Sequence, residues 1–337
     1  MFGFGKKYYS CKWLEHGIIF DHCNVIRVCC SQSHEGKGRY ELVTKYQGEP
    51  IDWENVFAQK RLQREVQKKG ATFESCKGCI ELEKRHWDSK DYIDTLLFTH
   101  WIHCNCACTY CPAIRDDVLI ENNKHYNVVP AVKDMIEKKI LKKSAFVSIA
   151  GGEATIYPEF EELLELLIDY GIKNIQVHTS GIKYSSAIEK GLRKGVVKVI
   201  VSLDSACAET HSKIKLKDCF DEVVQNLKKY STAQRQNKEL VSTKYIILPG
   251  VNDNKKEMYS WIMLNKELGI KSLDLDIDIA WFHENHSNIP EHIYDLVLFA
   301  KNKATNGDFQ MRLFDRACMV YNEYKKKNSQ LKAKVKK

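Results

Sequence analysis

No stretch of this chain strings together the roughly 18–20 uncharged apolar residues that a membrane-spanning helix requires. The N-terminal segment MFGFGKKYYSCKW has no apolar signal core. Both absences point to a cytoplasmic protein with no membrane partner. Acidic residues are missing from positions 325–337 (KKKNSQLKAKVKK), and seven lysines fall there. The formal net charge of +8, from 52 basic and 44 acidic residues, is therefore concentrated in the tail, and the rest of the chain nets only +1. That distribution leaves no basic groove across the body for nucleic acid. No aromatic residue stands among the tail lysines to stack on bases. With 44% hydrophobic and 28% charged residues, the 337-residue chain is globular. Its length suggests about two domains.

Cysteine, by contrast, is plentiful. Thirteen is high for a cytoplasmic chain and too sparse for a disulfide scaffold. The residues cluster as Cys11, Cys23, Cys29 and Cys30, then Cys76 and Cys79, then Cys104, Cys106, Cys108 and Cys111. Close thiol spacing without a secretion signal reads as metal or cluster ligation before disulfides.

From about residue 92 the pattern becomes regular. Apolar, β-branched runs at Asp91–Trp101, Ala145–Ala150, Asn174–Thr179, Val196–Leu203, Val241–Leu248 and Ser272–Ala280 alternate with helical periodicity. The helical stretches are Pro158–Tyr170, Ser185–Lys194, Asp221–Tyr230, Lys255–Leu268 and Glu291–Lys301. Gly171-Ile-Lys and Gly269-Ile-Lys look like helix C-caps feeding a strand. Such alternation builds βαβ units around a parallel sheet, open or a partial (β/α)6 barrel, with chemistry on the loops after the strands. Residues 1–90 hold six cysteines, the Gly-rich His34–Gly38 and one amphipathic helix over Trp53–Lys69. So small a core predicts a separate cysteine-rich domain stapled by metal. The barrel is expected over 91–316, with a terminal helix and solvated lysine tail over 317–337.

The strongest motif is His103-Cys-Asn-Cys-Ala-Cys-Thr-Tyr-Cys-Pro112, in the loop leaving the first of these strands. Cys104, Cys108 and Cys111 follow a C-x3-C-x2-C spacing. Three thiolates there can cap three irons of a cubic iron–sulfur cluster and leave the fourth open. A zinc site with Cys106 or His103 as fourth ligand is the alternative; Cys106 stands off the pattern and reads as a spectator. Ala150-Gly-Gly-Glu-Ala154 follows the second strand and His178-Thr-Ser-Gly181 the third. The fourth ends in Val201-Ser-Leu-Asp-Ser205 and the fifth in Ile247-Leu-Pro-Gly-Val-Asn252.

In this order, over residues 92–282, these motifs resemble the radical SAM superfamily. The resemblance implies a [4Fe–4S] cluster on Cys104, Cys108 and Cys111 whose open iron is chelated by S-adenosylmethionine. It implies that Tyr110 flanks the adenine, that Gly151, Gly152 and Glu153 meet the methionyl ammonium, and that Ser202 and Asp204 bond the ribose or methionyl part. Ser180 replaces the family's usual Asn and is given no contact. Upstream, Cys11-Lys-Trp, the Cys29-Cys30 pair, a helix and Cys76-Lys-Gly-Cys79 look like a SPASM- or twitch-type auxiliary-cluster module, though such modules usually follow the core. Cys11, Cys29, Cys76 and Cys79 are the expected ligands of a second [4Fe–4S] cluster or of zinc; free thiols are the remaining reading.

The implied activity is reductive cleavage of S-adenosylmethionine to a 5′-deoxyadenosyl radical that abstracts hydrogen from a peptide or protein. A sugar, nucleotide-sugar or other small metabolite is the alternative substrate, with flavodoxin or ferredoxin as electron donor. A zinc-bound interaction or RNA-binding protein is the alternative of another class. Asp274, Asp276 and Asp278 are expected on one strand face, where they could bind a cationic or hydroxyl-rich substrate. His283, His286, Cys207 and Cys219 are weaker candidates, each equally readable as an ordinary loop or core residue.

Overall fold

The computed structural model describes residues 7–22, 24–28, 41–70, 76, 79, 81–111, 125–235 and 238–335. The expected ligand Cys29, with Cys23, Cys30 and the Gly-rich stretch, lies outside the described residues. The chain divides into two compact units, one of residues 1–103 and 116–177, the other of 104–115 and 178–337.

In the first unit β1 (Tyr8–Ser10) leads into α1 (Lys12–His16), β2 (Gly17–Asp21), β3 (Val25–Arg27), β4 (Glu41–Val43) and α2 (Trp53–Lys68). Then come β5 (Glu83–Arg85), β6 (Ile93–Phe98), α3 (Val129–Glu137), β7 (Leu141–Ile149), a 3-10 turn (Ala154–Ile156), α4 (Phe160–Tyr170) and β8 (Asn174–Thr179). Strands β2, β6, β7 and β8 pair in parallel, and β3 and β4 extend the β2 edge antiparallel. The N-terminal segment is thus built into this unit: Gly17 to Phe20 stand opposite Thr95 to Phe98. One boundary between the units falls at the cysteine loop.

Local chemistry explains the elements. In α4 the apolar residues Phe160, Leu163, Leu164, Leu167 and Ile168 recur at helical spacing and are all buried. The helix stops at Gly171, whose φ of +100° lets its N–H reach back to the carbonyls of Leu167 and Ile168. Asp52 caps α2 by accepting from Asn55 N–H. On the buried face of α2, fully enclosed Lys60 donates to the carbonyls of Trp13 (3.2 Å), Leu14 (3.0 Å) and Gly17 (2.9 Å). The first two carbonyls belong to α1, where the C-cap Gly17 N–H also donates to Trp13 O, and the third opens β2. Burial pushes the Lys60 amine down to about 7.

The second unit runs α5 (Ser186–Lys194), β9 (Val197–Ser202), α6 (Ala208–Lys215), α7 (Phe220–Ala233), β10 (Val241–Ile247), α8 (Lys255–Glu267) and β11 (Ser272–Ile277). It closes with α9 (Ile279–Asn285), α10 (Glu291–Asn306), β12 (Gln310–Leu313) and α11 (Asp315–Val335). Its strands lie in the order β9-β10-β11-β12, each parallel to the next. Thr243 and Tyr245 of β10 face α8, where Thr243 Oγ1 meets Asn265 and Trp261 and the Tyr245 ring lies 5.1 Å from Trp261. The alternate residues, Ser242, Lys244 and Ile246, point to the opposite face.

The protein is therefore mixed α/β with a mostly parallel sheet. All six expected strands are present as β6 to β11. Two parallel strands were not expected, β2 and β12, and each is a run of five residues or fewer. The terminal helix continues to Val335, into the lysine-rich tail. Among the described residues no helix is long and apolar enough to cross a membrane.

Replacing Lys60 with Met conserves side-chain length and removes a donor from three carbonyls. Urea unfolding should show a loss of about 2–4 kcal/mol. An unchanged midpoint would show that water replaces the ammonium at no cost.

Candidate active site

The cysteine loop, Cys104–Cys111, is fastened to the end of α6. That helix terminates at Leu216, which adopts a left-handed φ of +50°, and its last carbonyls turn outward to the loop. Ala107 N–H donates to Lys215 O at 3.1 Å and Thr109 N–H to Ile214 O at 2.9 Å. Orphan helix carbonyls and orphan loop amides thus satisfy each other, with Cys108 between the two bonds. Further along, Lys217 Nζ donates to Asn105 O at 2.9 Å, and Cys111 N–H closes a turn on Cys108 O at 3.0 Å.

Asp204 anchors the other side of this assembly. It is fully buried, in the left-handed region at φ +61°, at the turn leaving β9. Its Oδ2 accepts from Tyr110 OH at 2.7 Å and from Lys215 Nζ at 2.6 Å, and its Oδ1 from Ile246 N–H at 2.9 Å. Its own carbonyl accepts from Asn252 Nδ2 at 2.7 Å. Burial and the Asp204 carboxylate push the Tyr110 phenol well up. Lys215, equally enclosed, is raised because the attraction of Asp204 and of Cys108 outweighs its desolvation.

The thiols differ sharply. Cys106 is buried, and hydrogen bonds to Cys104 and Cys108, with burial, push its own thiol far up, so it stays protonated. Cys108 is pushed down to about 7, first by the hydrogen bond from Cys106 and then, against its burial, by the Lys215 cation. Cys104 Sγ accepts from Cys106 N–H at 3.4 Å and is exposed, while Cys108 and Cys111 are half-buried. Among the described residues no three His, Cys, Asp or Glu side chains converge on one metal-ion position. The loop carries four thiols, at Cys104, Cys106, Cys108 and Cys111.

In the other unit the Gly-Gly-Glu segment lies against the chain that leads into this loop. Gly152 N–H donates to Trp101 O at 2.6 Å and Glu153 N–H to His103 O at 2.8 Å. A Cβ on Gly151 would overlap Trp101 O, and one on Gly152 would overlap His103 O and Ile102. Only glycine permits this approach. Glu153 is buried, and its Oε1 caps the 3-10 turn by accepting from Thr155 N–H (3.0 Å) and Thr155 Oγ1 (2.6 Å).

The remaining expected residues occupy strand ends, helix caps and turns. Ser202 ends β9, half exposed and in register with Lys244. Ser180 Oγ lies 3.3 Å from Asn105 Oδ1. Cys11 is the N-cap of α1, its sulfur accepting from Leu14 N–H at 3.5 Å. Cys79 N–H bonds Cys76 O at 3.1 Å, a tight turn at the C-x2-C. Cys207 is exposed at the head of α6, Cys219 is buried, and His283 and His286 are exposed on and just after α9.

The aspartate face differs from expectation. Strand β11 ends at Ile277, and Asp278 instead caps α9, accepting from Ala280 N–H at 3.2 Å. Arg312 grips Asp274 through both nitrogens, at 2.9 and 2.8 Å. Arg316 pairs with Asp276, and Lys244 Nζ lies 3.8 Å from the same carboxylate. Phe314 backs the cluster, 4.6 Å from the Lys244 ammonium and 4.3 Å from the Arg312 guanidinium. Both carboxylates are thus neutralised. Burial and the Lys244 cation also push His178 down to about 4, which keeps it uncharged.

Lys215 and Asn252 escaped sequence reasoning. Asn252 bonds Asp204 O, Ile246 O and Leu248 N–H within one turn, and only its place after Pro-Gly hinted at a role. Nothing in the local pattern marks the last lysine of α6.

Substituting Gly152 with Ala should cost about 1–3 kcal/mol by overpacking, read from the denaturation midpoint of the metal-free protein. A wild-type midpoint would mean that the Trp101–His103 backbone can retreat freely.

The family model of the radical SAM superfamily matches residues 98–262. The GTP 3',8-cyclases of Psychromonas ingrahamii and Synechocystis sp. are each 25% identical to this chain, over 189 and 174 residues. Those alignments take in 54% and 51% of this chain and 47% and 51% of the relatives, so the chain spans about half the length of the curated relatives it matches. Streptococcus suis SuiB bound to S-adenosylmethionine superposes with a TM-score of 0.54 at 12% identity, over 80% of this chain and 58% of that one. SuiB bound to its precursor peptide SuiA also gives 0.54 at 12% identity, over 86% and 60%. At such identity the likeness is one of fold. With the cysteine triplet at its place after β6, the matched region, just under half of the chain, carries the pattern of the radical SAM superfamily.

Proposed function

We propose that this chain reductively cleaves S-adenosylmethionine, with Cys104, Cys108 and Cys111 ligating the [4Fe–4S] cluster that pattern implies. The observation that carries the reading is the pinned loop. Three thiols at C-x3-C-x2-C spacing stand on backbone clamped at residues 107 and 109, and Cys108 is already shifted toward the thiolate that binds iron. Held by these three cysteines, such a cluster would supply one electron for reductive cleavage of the sulfonium into methionine and the 5′-deoxyadenosyl group that would abstract hydrogen from the substrate.

The chain's own residues orient and enclose. Tyr110 offers its ring to the adenine while Asp204 fixes its hydroxyl. Asp204 therefore serves the cosubstrate through Tyr110, since both of its oxygens are engaged. Ser202, half exposed at the end of β9, is the hydroxyl partner. Gly151, Gly152 and Glu153 set the chain entering the loop and offer backbone to the methionyl group. Cys11, Cys76 and Cys79, with Cys29, are proposed for the auxiliary iron–sulfur or zinc site of residues 1–90. An electron donor of the flavodoxin or ferredoxin type would supply the reducing equivalent.

A peptide or protein is the first substrate reading, supported by the SPASM-like cysteine layout and by the fold shared with a peptide-bound enzyme. A phosphorylated small metabolite is the second. The face of Lys244, Arg312 and Arg316 favours it, because cations there outnumber the paired Asp274 and Asp276. A thermal shift on adding GTP, lost in Lys244→Ala, would select the second; no shift would leave the peptide.

Iron and acid-labile sulfide, measured after anaerobic purification, test the core. Two cubic clusters require about eight irons, falling to about four when Cys104, Cys108 and Cys111 are all replaced by Ala. About four falling to zero would leave the auxiliary site to zinc. An iron content equal in the two proteins would remove the cysteine assignment.

A further inference from the structure

The buried Lys215–Asp204 pair has a chemical consequence beyond fastening the loop. The two charges are fully enclosed and touch at 2.6 Å, so solvent screens neither. They are not equivalent toward the cysteines. Lys215 gives its backbone to Ala107 N–H, its preceding carbonyl to Thr109 N–H and its ammonium to the space beside Tyr110, 5.7 Å from the ring centroid. Asp204 reaches the loop only through the Tyr110 hydroxyl. Both charges thus stand beside the loop at Tyr110, and the lysine is tied to it through its backbone as well.

We infer that Lys215 and Asp204 are positioning residues that set the reduction potential of the loop-bound cluster, the lysine raising it and the aspartate lowering it. This rests on the proposed cysteine ligation. Reduction adds one negative charge next to the loop. A fixed cation on that side stabilises the reduced form, and a fixed anion opposes it. An unpaired buried lysine would serve redox tuning better but would be costly to enclose. The Asp204 partner, itself secured by Ile246 N–H and Tyr110 OH, keeps the lysine charged in place.

The test is a potentiometric titration of the cluster, followed by the electron paramagnetic resonance of its reduced state, in full-length wild type and three variants. Lys215→Met should lower the potential and Asp204→Asn should raise it. Each should change the reduced-to-oxidised ratio at fixed poise by about tenfold, which is about 59 mV for a one-electron couple. The double variant Lys215→Met/Asp204→Asn, neutral and close in shape, should return near the wild-type value and remains informative if Lys215→Met alone does not fold. Hydrogen exchange of residues 104–111 in the metal-free proteins should be faster in Lys215→Met than in the double variant. Opposite signs cannot come from loosening the loop, which would move both single variants the same way. Shifts of one sign, or none in either single variant, would overturn the inference while leaving the cluster intact. A wild type with no cluster signal would overturn the ligation itself.

Discussion

Most of what surrounds the cysteine loop depends on a single buried carboxylate. A carboxylate removed from water must have each lone pair met or it will cost several kcal/mol. Asp204 meets that demand with a backbone amide from β10, a phenol from the loop and an ammonium from α6. Those three donors belong to three segments far apart in the chain, so satisfying one side chain fixes their mutual positions. The left-handed backbone of Asp204 follows from the same need, since it turns the side chain back under β10 while its carbonyl meets Asn252.

The same accounting explains why α6 ends where it does. A helix terminus leaves carbonyls unbonded, and a tight loop carrying thiols leaves amides unbonded. Here each supplies what the other lacks, at Ala107 and Thr109. Leu216, at positive φ, releases the chain before it would cover those carbonyls. In the other unit the glycines do comparable work by different means. They add no bond a larger residue could not make; they remove the Cβ atoms that would collide with residues 101–103.

Local signals were readable in the chain, and distant partnerships were not. The β6 to β11 runs and the helices between them followed from periodicity. The caps at Gly171 and Gly269, at φ +100° and +68°, followed from the need for left-handed backbone. The cysteine spacing and the Gly-Gly-Glu turn were visible because their residue types are scarce. Strand β2 was hidden because five residues carry no clear period, and its identity as a strand comes from β6. Asp204 was visible as a polar residue at a strand end. Its engagement with Lys215 was not, because nothing within eleven positions distinguishes that lysine from its helical neighbours. Three alternating aspartates suggested an acidic face, but their charge balance was set by Arg312 and Arg316, some forty positions later in the chain.

That last reversal bears on what the second unit can recognise. Carboxylates on a strand attract cations only while their own charge is unspent. Asp274 is held by both nitrogens of Arg312, and Asp276 is shared by Arg316 and Lys244, so a cationic substrate would have to displace a protein cation to bind either. An anionic group would likewise compete with Asp274 and Asp276 for Arg312 and Arg316. Lys198 is one further cation on the same face, where Lys244 stands in register between Ser202 and Asp274. Phe314 adds an aromatic surface against the same cations. The aspartates thus act as spacers that hold the arginine and lysine heads apart and oriented.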